Sequence, residues 1–146
     1  MNTILLDRAE ITTLVDRLGR ALDEGRFDEL AEIYTADATV ETPGGIARGL
    51  SAMTNQATRT HSPDRRIQHL ISSVIIDLDG DTATVRANLV AIFAAAPTAK
   101  TPLSPPFYTL GEVYRFDAVR TSTGWLFNRM RTVPVWETGT RPTLAA

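Results

Sequence analysis

The hydrophobic period of the chain changes near Arg66, and this change constrains the fold more than any other feature. Before it, apolar residues recur at helical spacing, and in the first segment they are Ile11, Leu14, Val15, Leu18 and Leu22. After it, long β-branched and apolar runs are joined by tight-turn signals such as Asp79-Gly80-Asp81. Helices followed by long antiparallel strands are typical of an α+β fold.

Three helices are predicted before the change of period. Asp7 and Glu10 form a possible capping box for the first helix, and Gly25 can end it in a left-handed conformation. A short second helix is expected from Phe27 to Tyr34. A third begins near Gly49, after a strand over residues 39–42 and a returning edge over residues 46–48.

Two long hairpins are predicted after the change of period. The first pairs residues 67–78 with 82–93, and the second pairs residues 107–119 with 124–133. Residues 94–106 contain four prolines and are expected to form a mobile flap over the mouth of a pocket, with a surface connection far from the pocket as the alternative. Residues 137–146 read as a loose tail.

Three amphipathic helices can cover only one face of so long a sheet, so a sheet that curls around them encloses a pocket. The sequence therefore predicts a cone-shaped, curved antiparallel sheet with three N-terminal helices enclosing that pocket. One domain is expected over residues 1–146, with its core over about 7–136.

Composition excludes several kinds of function. A net charge of -2 gives no basic field for nucleic acid or an anionic membrane, and the absence of cysteine excludes disulfides and thiolate chemistry. The two histidines are far apart and lack metal-ligand spacing, and no nucleotide-binding motif is found, so no metal and no cofactor are expected. Without a signal-peptide pattern or a long apolar stretch, the expected location is the cytoplasm.

Six short strings follow one another in a fixed order along residues 11–136. They are Ala21-Leu22-Asp23-Glu24-Gly25-Arg26-Phe27-Asp28-Glu29-Leu30, Tyr34-Thr35-Ala36-Asp37-Ala38, Gly49-Leu50, Gln68-His69-Leu70, Asp79-Gly80-Asp81-Thr82-Ala83, and Gly124-Trp125 followed by Arg129. In this order the chain resembles the SnoaL-like branch of the nuclear-transport-factor-2-like superfamily, which includes scytalone dehydratase. The resemblance implies the cone-shaped fold. It leaves function open, because the fold hosts dehydratases, isomerases, cyclases, epoxide hydrolases, dioxygenase small subunits and binding modules.

Asp23 and His69 are the predicted catalytic residues. His69 lies at the polar start of an apolar strand, and an imidazole can exchange a proton near neutral pH. Asp23 lies at the end of the first helix, where the dipole disfavours a carboxylate unless a partner compensates. The resemblance implies that both face the cavity, within hydrogen-bond reach of each other. The alternatives are a strand-end histidine bonded to a loop and a solvated aspartate.

Four further residues are predicted to contact a substrate. Tyr34 offers a hydroxyl, with a core tyrosine as the alternative, and Asn88 is a mid-strand amide that needs partners if buried. Glu112 interrupts an apolar strand that begins near Tyr108, and it is either a second acid or the partner of an arginine on the neighbouring strand. Tyr108 is the fourth of these residues.

The chain also departs from scytalone dehydratase, which uses two histidines and two tyrosines. Leu22 and Thr42 stand where the resemblance places the tyrosines, and residues 87–95 supply no second histidine. His61 lies in a loop before Pro63 and is expected to be solvated. The predicted acid–base set is therefore a reduced one.

Three functions remain open from the sequence. The first is a cofactor-independent lyase or isomerase, a dehydratase or cyclase among them, acting by proton transfer on a small apolar or polycyclic, polyketide- or steroid-like molecule. The second is a non-catalytic domain binding the same kind of molecule. The third is an interaction subunit, which would need an apolar outer face of the sheet. Polar residues are predicted on that face instead, and they are Arg86, Asn88, Arg115 and Asp117. A homodimer is expected, with a trimer as the alternative.

Overall fold

The structure, a computed structural model, describes residues 2–143. Two α-helices, one 3-10 helix and a six-stranded sheet make up this part of the chain. In order they are α1 Thr3–Glu24, the 3-10 helix Phe27–Glu32, β1 Tyr34–Thr42, β2 Gly45–Arg48, α2 Gly49–Thr60, β3 Arg65–Asp79, β4 Thr82–Ala95, β5 Pro106–Thr121 and β6 Gly124–Gly139.

The strands form one sheet in the order β2-β1-β6-β5-β4-β3. The predicted α+β fold, a curved sheet with three N-terminal helices, is confirmed. Its one departure is that β1 and β6 pair in parallel, while their neighbours pair antiparallel. The parallel pair arises because α2 carries the chain to the far edge of the sheet, from which β3 to β6 return as a meander to β1.

β-Bulges curl the sheet around the helices. The register shifts between Ser72 and Ile75 in β3, and again opposite Gly111 and Glu112, where β6 carries the extra residue Val135. Ser73 has a φ of 53°, the one positive value outside glycine among the residues described. Each bulge adds an unpaired residue and bends its strand, so these sites give the cone its curvature.

The first helix begins earlier than its sequence pattern predicts. Asn2 caps α1 by accepting a hydrogen bond from the backbone N–H of Ile4 at 3.1 Å, and Gly25 ends the helix at a φ of 69°, as predicted. The predicted capping box is wrong. Asp7 instead accepts hydrogen bonds from Arg120 and the Trp125 indole, and Glu10 accepts one from the Trp125 backbone N–H. Both carboxylates therefore tie α1 to the end of the β5–β6 hairpin.

The core lies between α1 and the inner face of the sheet. The helix buries the apolar residues of its stripe, and Phe116 stacks on Phe127 with ring centroids 4.2 Å apart. Each large apolar side chain buried in this way contributes about 1.5–3 kcal/mol to stability. This packing fixes the position of α1 over β3.

Two predictions at the ends of elements are corrected. The second helix is a 3-10 helix that ends at Glu32, so Tyr34 begins β1 rather than ending a helix. The predicted loose tail is ordered in its first part, because β6 continues to Gly139 and the backbone N–H of Thr140 bonds to the Phe107 carbonyl at 2.9 Å. Residues 144–146 of that tail lie outside the described residues.

Within residues 2–143, no helix is both long and apolar enough to cross a membrane.

Candidate functional site

A cavity of about 410 Å³ opens between the inner face of the sheet and the helices. Its volume lies within the range of small-molecule sites. Most of its wall is apolar, with Leu18, Leu22, Met53, Phe93, Tyr114 and Met130 among the lining residues. Titratable side chains interrupt this wall at several points, so the cavity combines an apolar body with a small number of polar groups.

Asp23 and His69 are hydrogen-bonded to each other. Asp23 Oδ1 lies 2.6 Å from His69 Nδ1, and the backbone N–H of His69 also donates to the two carboxylate oxygens at 2.9 and 3.2 Å. The His69 side chain is 5% exposed and that of Asp23 24%. The hydrogen bond is the predicted one, although neither residue belongs to the described cavity lining, and it supplies the compensation that a carboxylate at a helix C-terminus requires.

A buried glycine sets the distance between α1 and β3. A Cβ at Gly19 would lie 3.2 Å from Ile71 Cδ1 and 3.9 Å from His69 Cβ, so the helix approaches the strand closely at this point. Asp23 follows Gly19 by four residues and therefore lies on the same side of the helix. The close approach at Gly19 thus brings Asp23 to His69.

His61, rather than His69, lies on the cavity wall. The described lining contains His61 but neither His69 nor Asp23, and the two imidazole centroids are 5.3 Å apart. His61 Nδ1 lies 2.9 Å from the Ala57 carbonyl oxygen, which can only accept, so Nδ1 carries the proton and Nε2 the lone pair. Burial, and then the charge of His69, lower the pKa of His61 to about 4.

The expectation that His61 is solvated is therefore wrong. The His61 ring lies 6.3 Å from the ring of Phe27 and 5.3 Å from that of His69, measured between centroids, so side chains from other elements cover it. His61 consequently supplies the second histidine that the sequence pattern did not place at the site.

Tyr34 lines the cavity and carries a buried hydroxyl. The residue is 2% exposed, lines the wall, and its hydroxyl has no hydrogen-bond partner among the described residues. Burial raises the pKa of Tyr34 above its ordinary value, so the hydroxyl stays protonated. An unsatisfied buried hydroxyl costs about 1–3 kcal/mol.

Glu112 also points into the cavity. The expected ion pair with Arg129 or Arg131 is wrong, because the Arg129 guanidinium lies 3.8 Å from Glu41 and 4.0 Å from Asp117. Burial raises the pKa of the Glu112 carboxyl. The Thr132 hydroxyl beside it, which lacks a well-formed hydrogen bond, opposes this shift in part. Glu112 is thus a carboxyl group inclined to hold its proton.

The remaining two predicted substrate contacts lie on opposite faces of the sheet. Tyr108 lines the cavity and its hydroxyl donates to Glu137 at 2.5 Å. Asn88 pairs with Val113 and lies between the inward-facing Ala87 and Leu89, so strand alternation places it on the outer face. The sheet therefore separates Asn88 from the cavity, which corrects the prediction that it contacts a substrate.

The C-terminal segment forms part of the cavity wall in place of the predicted flap. Arg141 and Pro142 line the cavity, whereas no residue from 94 to 105 appears in the described lining, so the flap prediction is wrong. Arg59 and Arg65 line it as well. These arginines were missed because they lie outside any apolar run. The one sequence feature that could have indicated Arg141 is its spacing of four residues from Glu137, with which it forms an ion pair.

A metal centre has no support in the described part of the chain, where no group of three histidine, cysteine, aspartate or glutamate side chains could hold an ion.

Comparison with known proteins gives both relatives and structures of similar fold. An uncharacterized protein of Mycobacterium tuberculosis, Rv2910c, is 27% identical over 121 residues, which cover 82% of this chain and 79% of the relative. A scytalone dehydratase candidate from Novosphingobium aromaticivorans has a TM-score of 0.82 at 23% identity, with 99% and 94% of the two chains covered.

A second structure with this fold is the hexachlorocyclohexane dehydrochlorinase LinA. Its TM-score is 0.79 at 18% identity, with 97% of this chain and 94% of that chain covered. Residues 3–131 match the family described as the SnoaL-like domain. The cavity, the curved sheet and this match together show that the chain belongs to the SnoaL-like domain family.

Proposed function

We propose that the protein is a cofactor-independent enzyme that moves a proton on a small, largely apolar molecule, as a lyase or an isomerase. The observation that carries the proposal is the 2.6 Å contact between Asp23 and His69 beside an apolar cavity. A carboxylate that orients an imidazole is an arrangement suited to general base catalysis.

The protonation pattern of His69 follows from its partner. An ionised carboxylate can only accept hydrogen bonds, so His69 Nδ1 carries a proton and donates it to Asp23. The lone pair of the neutral ring is then on Nε2. That atom removes a proton from a carbon next to a carbonyl group, and Asp23 stabilises the imidazolium that forms.

The substrate oxygen needs a donor as this proton leaves. Tyr34 offers a hydroxyl with no partner among the described residues, and Glu112 offers a carboxyl whose pKa is raised by burial. Either group can donate to the developing enolate. The reaction is completed when the imidazolium returns the proton to a leaving group, giving elimination, or to another carbon, giving isomerisation.

His61 has a different part in this proposal. Because its pKa is lowered to about 4, its ring is neutral at neutral pH and is a weak base. Its Nε2 accepts a hydrogen bond from a substrate hydroxyl or a water and so holds that group beside His69. His61 is therefore a positioning residue rather than the base.

The structural neighbours favour elimination. Two structures that share the fold carry names, dehydratase and dehydrochlorinase, that denote loss of water or of hydrogen chloride. Both reactions begin with removal of a proton from carbon, which is the step assigned to His69.

Deuterium exchange tests the proposal without knowledge of the substrate. A panel of cyclic ketones and β-hydroxyketones is incubated with the protein in D₂O, and exchange at carbon and loss of water are followed by NMR. Wild type and the surface variant Glu24→Gln should promote exchange or elimination on the same compounds. His69→Gln should lower the rate at least about 100-fold. Equal rates for wild type and His69→Gln on every active compound would refute the assignment.

A non-catalytic binding domain is the second candidate. It is favoured by one observation, that His69 lies behind the described lining rather than in it. This candidate predicts tight binding of compounds from the same panel without exchange or turnover.

We also propose a homodimer formed through the outer face of the sheet. That face carries exposed apolar side chains, although the sequence predicted a polar outer face. They are Leu70, Ile75, Val133 and Trp136. Association would cover this patch and the unpaired edge groups near it.

A further inference from the structure

Three guanidinium groups line the cavity, although the chain as a whole carries a net charge of -2. They belong to Arg59 at the end of α2, Arg65 at the start of β3 and Arg141 after β6. Among the described lining residues the one carboxyl group is that of Glu112, whose pKa burial raises. The charge on the cavity wall is therefore positive, opposite in sign to that of the molecule.

Arg65 is the most enclosed of the three. Its side chain is 9% exposed, and its Nη1 and Nη2 donate to the carbonyl oxygens of Thr60 at 3.4 Å and Thr143 at 2.8 Å. Among the residues described, Asp64 is its carboxylate contact, at 3.6 Å from Nε, and that side chain is 75% exposed. Neutral carbonyls and one solvated carboxylate leave much of the charge of Arg65 uncompensated, and N–H donors remain on both terminal nitrogens.

The same two contacts connect the three chain segments that carry these arginines, and the part of the cavity that these segments line is termed the opening. Thr60 follows Arg59 directly at the end of α2, and Thr143 lies two residues after Arg141. Arg65 therefore joins the segment that carries Arg59 to the segment that carries Arg141. Arg141 is paired with Glu137 at 2.6 Å, and Glu137 also accepts the Tyr108 hydroxyl.

We propose that this opening binds the carboxylate of an amphipathic substrate whose apolar body occupies the cavity, with Arg65 and Arg59 as the groups that hold the anion. Arginine suits this task because its planar donors match the two oxygens of a carboxylate. The inference rests on the proposed function for the identity of the site, and it narrows the substrate from any apolar molecule to an organic acid.

The position of Arg65 links the anion to the chemistry. The charge of Arg65 acts on His61, whose ring is in turn in contact with His69. A carboxylate held at Arg65 would lie within electrostatic reach of both imidazoles, so the acid group would fix the end of the substrate that faces them.

A competition experiment tests the preference for an anion. N-phenyl-1-naphthylamine, a neutral probe that fluoresces in apolar pockets, is bound to the full chain and displaced by 1-naphthoate or by 1-naphthamide. The two competitors have nearly the same shape and differ in charge. Naphthoate should bind at least about tenfold more tightly than the amide, since hydrogen bonds to charged groups exceed neutral ones. The ratio should fall as salt is added.

Two matched variants locate the preference. Arg65→Met should reduce the ratio to threefold or less, and Arg66→Met should leave it unchanged, because Arg66 is exposed and faces the other side of β3. Since Arg65 also holds Thr60 and Thr143, a melting curve checks that its variant is folded. Arg59→Gln gives a second test that disturbs neither contact, and it should also reduce the ratio.

The outcomes separate this inference from the proposed function. Equal affinity for the two competitors, displacement by neither, or a ratio unchanged in both Arg65→Met and Arg59→Gln would overturn it. The preference should persist in His69→Gln, because that variant removes the proposed base and leaves the arginines in place. If the preference persists while no compound is ever turned over, the anion site stands and the catalytic proposal fails.

Discussion

Replacing Asp23 with asparagine removes the negative charge from the Asp23–His69 pair, while the side chain keeps nearly the same shape. The carboxylate accepts from the His69 backbone N–H at 2.9 and 3.2 Å and from Nδ1 at 2.6 Å. An asparagine side chain keeps one accepting oxygen and places an NH₂ group at the other position. With its oxygen at the Oδ1 position, asparagine still accepts from both His69 donors, but without a charge, and its NH₂ group faces the backbone N–H from the Oδ2 position. With the amide turned the other way, the ring must move its proton from Nδ1 to Nε2.

The size of the effect follows from these contacts. A hydrogen bond to a charged group contributes about 1.5–3 kcal/mol, and because Asp23 is 24% exposed we take the lower end of that range. Asp23→Asn should therefore lower the free energy of unfolding by about 1.5–2 kcal/mol. The control is Glu24→Gln, since Glu24 is 49% exposed and forms only surface ion pairs with Arg20 and Arg26. It should change stability by less than about 1 kcal/mol.

Two measurements check this prediction. Urea unfolding followed by tryptophan fluorescence gives the free energies, and ¹⁵N NMR of the imidazole rings gives the tautomers above the ordinary histidine pKa of about 6.5. Wild-type His69 should be protonated at Nδ1, and Asp23→Asn should shift population toward Nε2–H. The reasoning fails if the variant keeps the Nδ1–H tautomer and unfolds within about 0.5 kcal/mol of wild type.

Three further predictions concern His61, two buried tyrosines and the outer face of the sheet. Because the pKa of His61 is lowered to about 4, its neutral state contributes stability above pH 6.5 that is lost as the pH falls toward 4. His61→Gln should make the loss of free energy of unfolding between pH 6.5 and pH 4 smaller by about 2–3 kcal/mol, as measured by urea unfolding at these two pH values. A pH profile of stability that is the same in wild type and His61→Gln would count against the buried neutral ring. Tyr34→Phe should leave the free energy of unfolding unchanged or raise it by up to about 1 kcal/mol, whereas Tyr108→Phe should lower it by about 1 kcal/mol because its hydroxyl donates to Glu137. Light scattering at micromolar concentration should show a dimer that Trp136→Asp dissociates, and a monomeric wild type would refute the proposed interface.

Features of the fold that depend on local sequence could be predicted. Gly25 ends α1 in the left-handed conformation that its position after Glu24 predicts, and Asp79-Gly80-Asp81 joins β3 to β4. These features depend on a few neighbouring residues, and their backbone requirements are visible in the sequence. The parallel pairing of β1 with β6 depends on contacts between segments about 90 residues apart, for which no local pattern exists.

The candidate site divides in the same way. The contact between Asp23 and His69 was expected because the resemblance supplied both positions, since nothing in the spacing of two residues 46 apart would pair them. His61 was misplaced because Pro63 and its polar neighbours are typical of a solvated loop. Its burial depends on contacts with Phe27 and His69, which lie on other elements and which the sequence of that loop does not encode.

The described cavity owes much of its polarity to one short part of the chain. Arg59, His61 and Arg65 come from the end of α2 and the start of β3, and His69 follows on the same strand. Residues 65, 67 and 69 face the same side because strand side chains alternate, so the arginine and the proposed base share the inner face with Ile67 between them. Asp23 reaches His69 from α1 through the close approach at Gly19, independently of this segment. Substitutions at positions 59, 61 or 65 can therefore change which molecule is bound while the Asp23–His69 pair is kept. This separation is one physical reason why a single fold can serve different substrates.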